Sequence, residues 1–139
     1  MNIKTKMKNN TKLFLLFFIL VAADQIIKSI SSFSICNPNI AWSVPIAPAI
    51  FYFVWIVIMI ILIYLLFKTK FYVQKFFIVL ILSGAVSNMI DRIRFGCVVD
   101  YIDLKFWPVF NLADVYISIG TIILLVSILK SQSQNPNDK

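Results

Sequence analysis

Four long apolar runs, separated by polar or proline-bearing breaks, organise this chain. Residues 1–12 are polar and carry Lys4, Lys6, Lys8 and Lys12; apolar character then continues over about 13–30. A run of about 18 residues is about 27 Å long at a rise of 1.5 Å per residue, close to the hydrocarbon thickness of a bilayer. Residues 31–48 form a loop with Pro38, Pro45 and Pro48 and no Lys or Arg, and a second span follows over about 49–67. A short basic turn holds Lys68, Lys70 and Lys75. The third span, about 76–93, carries Ser83, Gly84, Ser87, Asn88, Asp91 and Arg92 in its second half. Residues 94–112 make a second loop, in which 97–102 reads as a short strand rich in Val and Tyr. Phe106, Trp107 and Phe110 suit an interfacial aromatic belt. The fourth span runs over about 113–130, and 131–139 is a polar tail of disordered composition. The pattern predicts one all-α membrane domain over 1–130 with four transmembrane helices. A basic start, a short apolar run and Ala22-Ala23 also fit a cleavable signal peptide. Apolar character reaching Ile30, with further spans behind it, favours a retained helix.

Composition and charge sharpen this picture. Hydrophobic residues make up 60% of the 139 positions, and they fall in runs rather than in the alternation of a soluble core. There are 13 Lys and Arg against 6 acids, a net charge of +7. The bases sit at the ends of apolar runs, so membrane topology explains them and nucleic-acid binding does not. The positive-inside rule puts both termini and the 68–75 turn in the cytoplasm. Both longer loops then lie on the extracytoplasmic side, although Arg94 and Lys105 make the second loop the weaker witness.

This topology gathers polar residues at one face. Asp24, Gln25 and Lys28 close the first span, Asn88, Asp91 and Arg92 close the third, and Asn111 and Asp114 open the fourth. Of the six acids only Asp138, in the tail, is elsewhere. Gly84, Asn88 and Asp91 fall at i, i+4 and i+7, one stripe of a helix, and Asp114, Ser118 and Thr121 form a similar stripe. Ionisable groups in a bilayer cost several kcal/mol unless they face the bundle interior or water, so the stripes mark packing devices or a functional site.

The residues present restrict the chemistry. There is no His and no Glu, which excludes His triads, His–metal sites and Glu bases. Cys36 and Cys97 are read as unpaired small apolar residues, with a disulfide between them as the alternative. Asp24 and Lys28, at i and i+4, read as a mutually neutralising pair, and Asp91 as a local ion pair with Arg92. Gly84 and Ser87 read as small residues allowing close helix approach. Asp103 is expected to face solvent. Asp100 and Asp114 lie in apolar settings, Val98-Val99-Asp100-Tyr101 and Leu112-Ala113-Asp114-Val115. Two carboxylates brought within a few ångströms hold one proton between them, the state of an aspartic protease dyad. One takes a proton from water while the other polarises a peptide carbonyl, and neither metal nor cofactor is required. The residues alone favour a structural pair over this chemistry.

The motifs taken together resemble the lipoprotein signal peptidase (signal peptidase II) family of bacterial membrane aspartic peptidases. In order they are Asp24-Gln25-x-x-Lys28, Asn37-x-Asn39-Ile40-Ala41-Trp42-Ser43, Gly84-Ala85-x-Ser87-Asn88-x-x-Asp91-Arg92, Gly96-x-Val98-Val99-Asp100-Tyr101 and Phe110-Asn111-x-Ala113-Asp114. Each is weak alone; five in order among four spans are specific. The resemblance implies a four-helix core with a small extracytoplasmic β region. It implies cleavage of prolipoproteins before a diacylglyceryl-modified cysteine by a cell-membrane enzyme, with membrane lipid the other partner and a monomer the expected state. It makes Asp100 and Asp114 the catalytic pair, Asn37, Asn88, Arg92 and Asn111 substrate-holding residues, and Asp24, Lys28, Gly84 and Asp91 their supports.

The chain departs from the family where Asn39 replaces a usual Gly and where Ser83 and Ser87 replace glycines of the third-helix motif. Only 13 residues separate Asp100 from Asp114, which leaves little structure over the site. Two other readings compete. A non-enzymatic membrane scaffold would use the polar residues only to lock helices. A transporter would need polar groups through the bilayer depth, which the apolar second span and inner half of the third do not supply.

Overall fold

The computed structural model describes residues 3–39 and 47–133, with side chains over 9–39 and 47–130. Four helices carry the chain: α1 (Ile3–Ile30), α2 (Pro48–Lys68), α3 (Tyr72–Phe95) and α4 (Leu112–Ser133). Two short strands sit in the longer loops, β1 (Ile35–Asn37) and β2 (Val98–Asp100). The helices contain stretches long and apolar enough to cross a membrane: Asn9–Ile30, Pro48–Lys68, Tyr72–Phe95 and Leu112–Lys130. The expected four spans with a small β region are therefore present.

Three boundaries differ from expectation. α1 begins at Ile3 rather than near residue 13, because an apolar helix, once nucleated, propagates cheaply into lysine-rich sequence. α3 begins at Tyr72, so Gln74 and Lys75 belong to its first turns. α4 continues to Ser133, into the segment expected to be disordered; residues 134–139 of that tail lie outside the described residues. The strand predicted over 97–102 is shorter, and its antiparallel partner β1 was not anticipated.

Local chemistry sets the ends. Pro48 opens α2 at a position where its missing N–H is no loss. Between α2 and α3 the Thr69 hydroxyl bonds the Gln74 side chain and also accepts the Phe71 N–H at 3.3 Å. Gly96, at φ +74°, takes the left-handed conformation that ends α3, and its N–H donates to the Arg92 carbonyl at 3.0 Å. That reversal delivers the chain into β2. The chain beyond β2 folds back through a bridge between Ile102 and Phe110, which returns Asn111 to the side of Asp100.

α3 is the central helix and packs against α1, α2 and α4. Leu62, Ile78, Ile81, Leu82 and Leu124 form the apolar core. Large side chains such as Phe18, Phe53, Ile60 and Leu129 point outward, as a lipid-facing surface requires. Lipid is as apolar as leucine, so helices hold together here by close contact. A Cβ on Gly84 would collide with the Ala113 carbonyl oxygen and come within 2.8 Å of Ile117 Cγ1. One on Gly120 would lie 2.7 Å from Ile81 Cγ1. The close-packing role read for Gly84 is thus what it does. The stripe read on the fourth span is corrected: Ser118 and Thr121 are exposed, while Ala113, Gly120 and Leu124 face the bundle.

Candidate active site

The polar residues assemble at one end of the bundle around Lys28. Its Nζ lies 2.7 Å from Asp24 Oδ2, 2.7 Å from Asp91 Oδ2 and 2.9 Å from Asn88 Oδ1. Three donors meet three acceptors. The Asp24–Lys28 pair is as read from the sequence, but the Asp91 reading is corrected. Asp91 pairs across the bundle with Lys28, accepts from Gln25 Nε2 at 2.9 Å and takes the Val99 N–H at 3.2 Å. It therefore ties α1 and β2 to α3. Ser87 is also more than a spacer: its hydroxyl donates to Asp24 at 2.6 Å and accepts from Gln25 at 3.0 Å.

Asp24 reaches α4 as well. Its Oδ1 accepts the Ala113 N–H at 3.1 Å and the Tyr101 hydroxyl at 3.3 Å. A carboxylate at a helix N-terminus satisfies free N–H groups and faces the positive end of the helix dipole. Burial pushes Tyr101 up to about 12, which keeps its hydroxyl a donor. The sequence assigns no role to Tyr101 or Gln25; their buried partners lie on other elements, which spacing along one segment does not reveal.

Asn111 joins the remaining two carboxylates. It is wholly buried, and its Nδ2 donates to Asp100 Oδ1 at 2.8 Å and to Asn88 Oδ1 at 3.0 Å. Its backbone N–H donates to Asp114 Oδ2 at 3.1 Å, and its Oδ1 accepts the Asp114 N–H at 2.9 Å. This is a reciprocal capping box at the start of α4, with Asn as the cap and Asp at the third helical position. The cap thus fixes the Asp114 carboxylate beside Asp100. Asp114 Oδ1 accepts from Asn88 at 2.8 Å, and Asp100 Oδ2 accepts from Asn37 at 3.1 Å. Among the described residues no buried side-chain N or O lacks a partner. Burial raises Asp100 to about 6; the nearby Asp114 charge adds to the rise, while bonds from Asn37 and Asn111 and the Lys28 charge oppose it.

Nine of the ten residues singled out from the sequence converge on this end, Gly84 holding α3 against the start of α4. Arg92 stands apart. Its guanidinium donates to the Pro38 and Asn39 carbonyls at 3.2 and 2.7 Å and stacks on Phe51 of α2 at 4.4 Å. A cavity of about 80 Å³ lies beside it, lined by Pro38, Pro48, Phe51, Tyr52 and Gly96. Ile40, Ala41, Trp42 and Ser43 of the first-loop motif lie outside the described residues. Asp103 lies at the surface, as expected, and bonds Lys105 at 2.6 Å. The cysteines are corrected too. Cys36 and Cys97 form a disulfide with Cα atoms 5.5 Å apart, because the ladder between β1 and β2 brings together loops that are remote in sequence.

The profile of the Signal peptidase (SPase) II family matches residues 9–130. The chain belongs to the signal peptidase II family. A lipoprotein signal peptidase of Blochmanniella pennsylvanica is 32% identical over 115 residues, 73% of this chain and 68% of that protein. One of Caldicellulosiruptor bescii is 46% identical over 80 residues, 58% of this chain and 53% of that protein. Matches to the first relatives span from about a third to about half of those proteins' lengths. A bacterial membrane enzyme solved in meso at 2.3 Å superposes with a TM-score of 0.81 at 29% identity, over 93% of this chain and 94% of that one. Membership of signal peptidase II makes this a multi-pass membrane protein of a bacterial peptidase family.

Proposed function

We propose that this protein is an aspartic endopeptidase of the bacterial cell membrane that removes signal peptides from prolipoproteins, cutting before a diacylglyceryl-modified cysteine. The observation that carries the reading is the Asn111 link, which holds Asp100 and Asp114 side by side through 2.8 and 3.1 Å bonds. In this reading the two carboxylates approach closely enough to hold one proton between them. The ionised member removes a proton from water, and the resulting hydroxide attacks the scissile carbonyl, which the protonated member polarises. As the tetrahedral intermediate collapses, a proton passes to the leaving amine. Asn37, Asn88 and Asn111 hold the pair, and Asp24, Lys28, Gly84 and Asp91 hold the helices beneath it. The substrate's acyl chains and signal helix reach the site laterally from the bilayer.

Both termini are cytoplasmic in this reading and the site is extracytoplasmic. The disulfide supports that orientation, since disulfides persist outside the reducing cytoplasm. A monomer is the working state in this reading. The scaffold reading explains the buried Lys28 cluster but gives no reason for a second carboxylate pair held only by amides.

The test is Asp100→Asn and Asp114→Asn, made separately and assayed on a lipidated prolipoprotein. Each is expected to abolish cleavage while the protein still inserts. Full activity in either removes the dyad assignment. A reporter fused after Ile46 is expected outside, and a cytoplasmic signal overturns the topology.

A further inference from the structure

The Cys36–Cys97 disulfide takes no part in the chemistry above, yet each cysteine adjoins it. Cys36 precedes Asn37 on β1, and Cys97 directly precedes β2, which ends in Asp100. The ladder is three residues on each side, pairing Ile35 with Asp100, Cys36 with Val99 and Asn37 with Val98. Alternation along a strand puts Cys36 and Val99 on one face and Asn37 and Asp100 on the other. The disulfide therefore stitches the ladder from the side opposite the carboxylate. Beyond β1, Arg92 holds the Pro38 and Asn39 carbonyls; the strand itself is held by its ladder, the Asn37–Asp100 bond and the disulfide. Ile35 and Cys36 are exposed, and an isolated two-stranded ladder is marginal by itself. Cys97, by contrast, is only 2% exposed.

We infer that the Cys36–Cys97 disulfide is a positioning element of the active site, holding Asn37 against Asp100, so that full peptidase activity requires the oxidised form. The inference rests on the proposed function. It makes the protein a client of extracytoplasmic thiol–disulfide chemistry. A thiolate of an external dithiol attacks the exposed Cys36 sulfur, and Cys97 leaves as a thiolate that takes a proton. The second thiol of the reductant resolves the mixed disulfide. The protein gains two thiols and the reductant becomes a disulfide; a disulfide oxidant reverses the exchange.

The experiment uses the full chain in lipid. Maleimide–polyethylene glycol, added in denaturing detergent, is expected to add nothing before reduction and two adducts after it; adducts without reduction overturn the inference. Dithiothreitol is expected to lower kcat/KM on a lipidated prolipoprotein by about tenfold, the order for losing a hydrogen bond to a charged group, and oxidised glutathione to restore it. The Cys36→Ser/Cys97→Ser variant is expected to show the low rate and no response to reductant. Reversible reduction of the natural chain gives the same information if that variant does not fold. Two readouts separate positioning from general loosening. In an Asn37→Ala background reduction is expected to change nothing further. Reduction is also expected to move the pH–rate profile to higher pH, because a donor that favours the Asp100 carboxylate is lost while Asp114, Lys28 and Arg92, the charges around it, remain. An active enzyme whose rate and profile ignore reduction overturns the inference alone. So does an additive loss with Asn37→Ala. An oxidised protein that cuts nothing overturns the proposed function, and this inference with it.

Discussion

Lys28→Met removes a positive charge and three N–H donors from the centre of the network. The ammonium is 2.7 Å from each of two carboxylates and 2.9 Å from the Asn88 carbonyl oxygen. The side chains of Lys28, Asp24 and Asp91 are 4%, 0% and 1% exposed, so water screens none of them. After substitution two buried carboxylates face each other without a counter-charge. Removing one partner of a buried pair costs about 3–5 kcal/mol. A margin of ~5–15 kcal/mol for a whole fold cannot absorb that unnoticed. With about 3–5 °C of Tm per kcal/mol at this chain length, Tm should fall by about 10–20 °C. Tryptophan fluorescence during heating in lipid nanodiscs reads the change. A companion variant, Asp24→Asn/Lys28→Met/Asp91→Asn, removes all three charges and should recover much of the loss, because neutral replacement of a whole ionic cluster is mild. Recovery stays incomplete by up to about 1 kcal/mol, since the charge at the start of α4 is gone. A fall of less than about 3 °C in the single variant, or a triple variant less stable than the single, refutes the role given to Lys28.

Other outcomes follow from the same geometry. Asn111→Ala loses the cap of α4, worth about 1 kcal/mol, and should lower cleavage about 100-fold, as a 1 Å misplacement of a reacting group does; melting and initial rates check both. Gly84→Val forces a side chain against the Ala113 carbonyl and should cost about 1–3 kcal/mol, with activity falling because Asp114 is the next residue, readable from Tm and rate together. Asp100 is raised from its ordinary 3.8 to about 6, so the native chain binds more protons than the unfolded chain between those values. The Asp100 contribution to stability should therefore be fully present below about 4 and be lost as pH rises through about 6. Asp100→Asn lacks this decline, and parallel melts of the two proteins from pH 4 to 7 expose it.

Much of this was legible in the sequence for physical reasons. A span of some twenty apolar residues has one stable arrangement in lipid, so the four helices followed from hydropathy alone. The convergence of Asp24, Lys28, Asn88, Asp91, Asn111 and Asp114 followed from putting the ends of three spans on one side. Contacts between segments remote in sequence were not legible. Asp91 lies next to Arg92 in the chain, and adjacency suggested a pair; but consecutive residues on a helix diverge by about 100°, so Asp91 faces Lys28 while Arg92 swings to Phe51 and the first loop. The stripe of Asp114, Ser118 and Thr121 failed because only its first residue is claimed by the cap; Gly120 and Leu124 set the packed face. β1 left a weak signal because three residues are too few for alternation to show, and with β1 went the disulfide.

The distribution of donors explains why only one of the two carboxylate pairs is suited to chemistry. Four Asp side chains meet at this end of the bundle, and Lys28 spends its donors on Asp24, Asp91 and the amide of Asn88. Arg92 spends its own on the carbonyls of Pro38 and Asn39. Asp100 and Asp114 are left with uncharged N–H groups, from Asn37, Asn88 and Asn111. A carboxylate paired directly with an ammonium has its donors fixed in place, and a rigid structural role suits it. A neighbouring pair served by neutral donors in a poorly solvated setting keeps one proton far more readily. The amides position the two carboxyl groups without neutralising them, and each carboxylate oxygen, with a single donor on it, retains a lone pair for water or substrate. In the proposed mechanism, chemistry and scaffold are therefore separated by one layer of asparagine. Asn88 is the joint, taking the lysine on its carbonyl and giving its N–H to Asp114, so the cluster that holds the helices also sets the angle of the carboxylate proposed to cut.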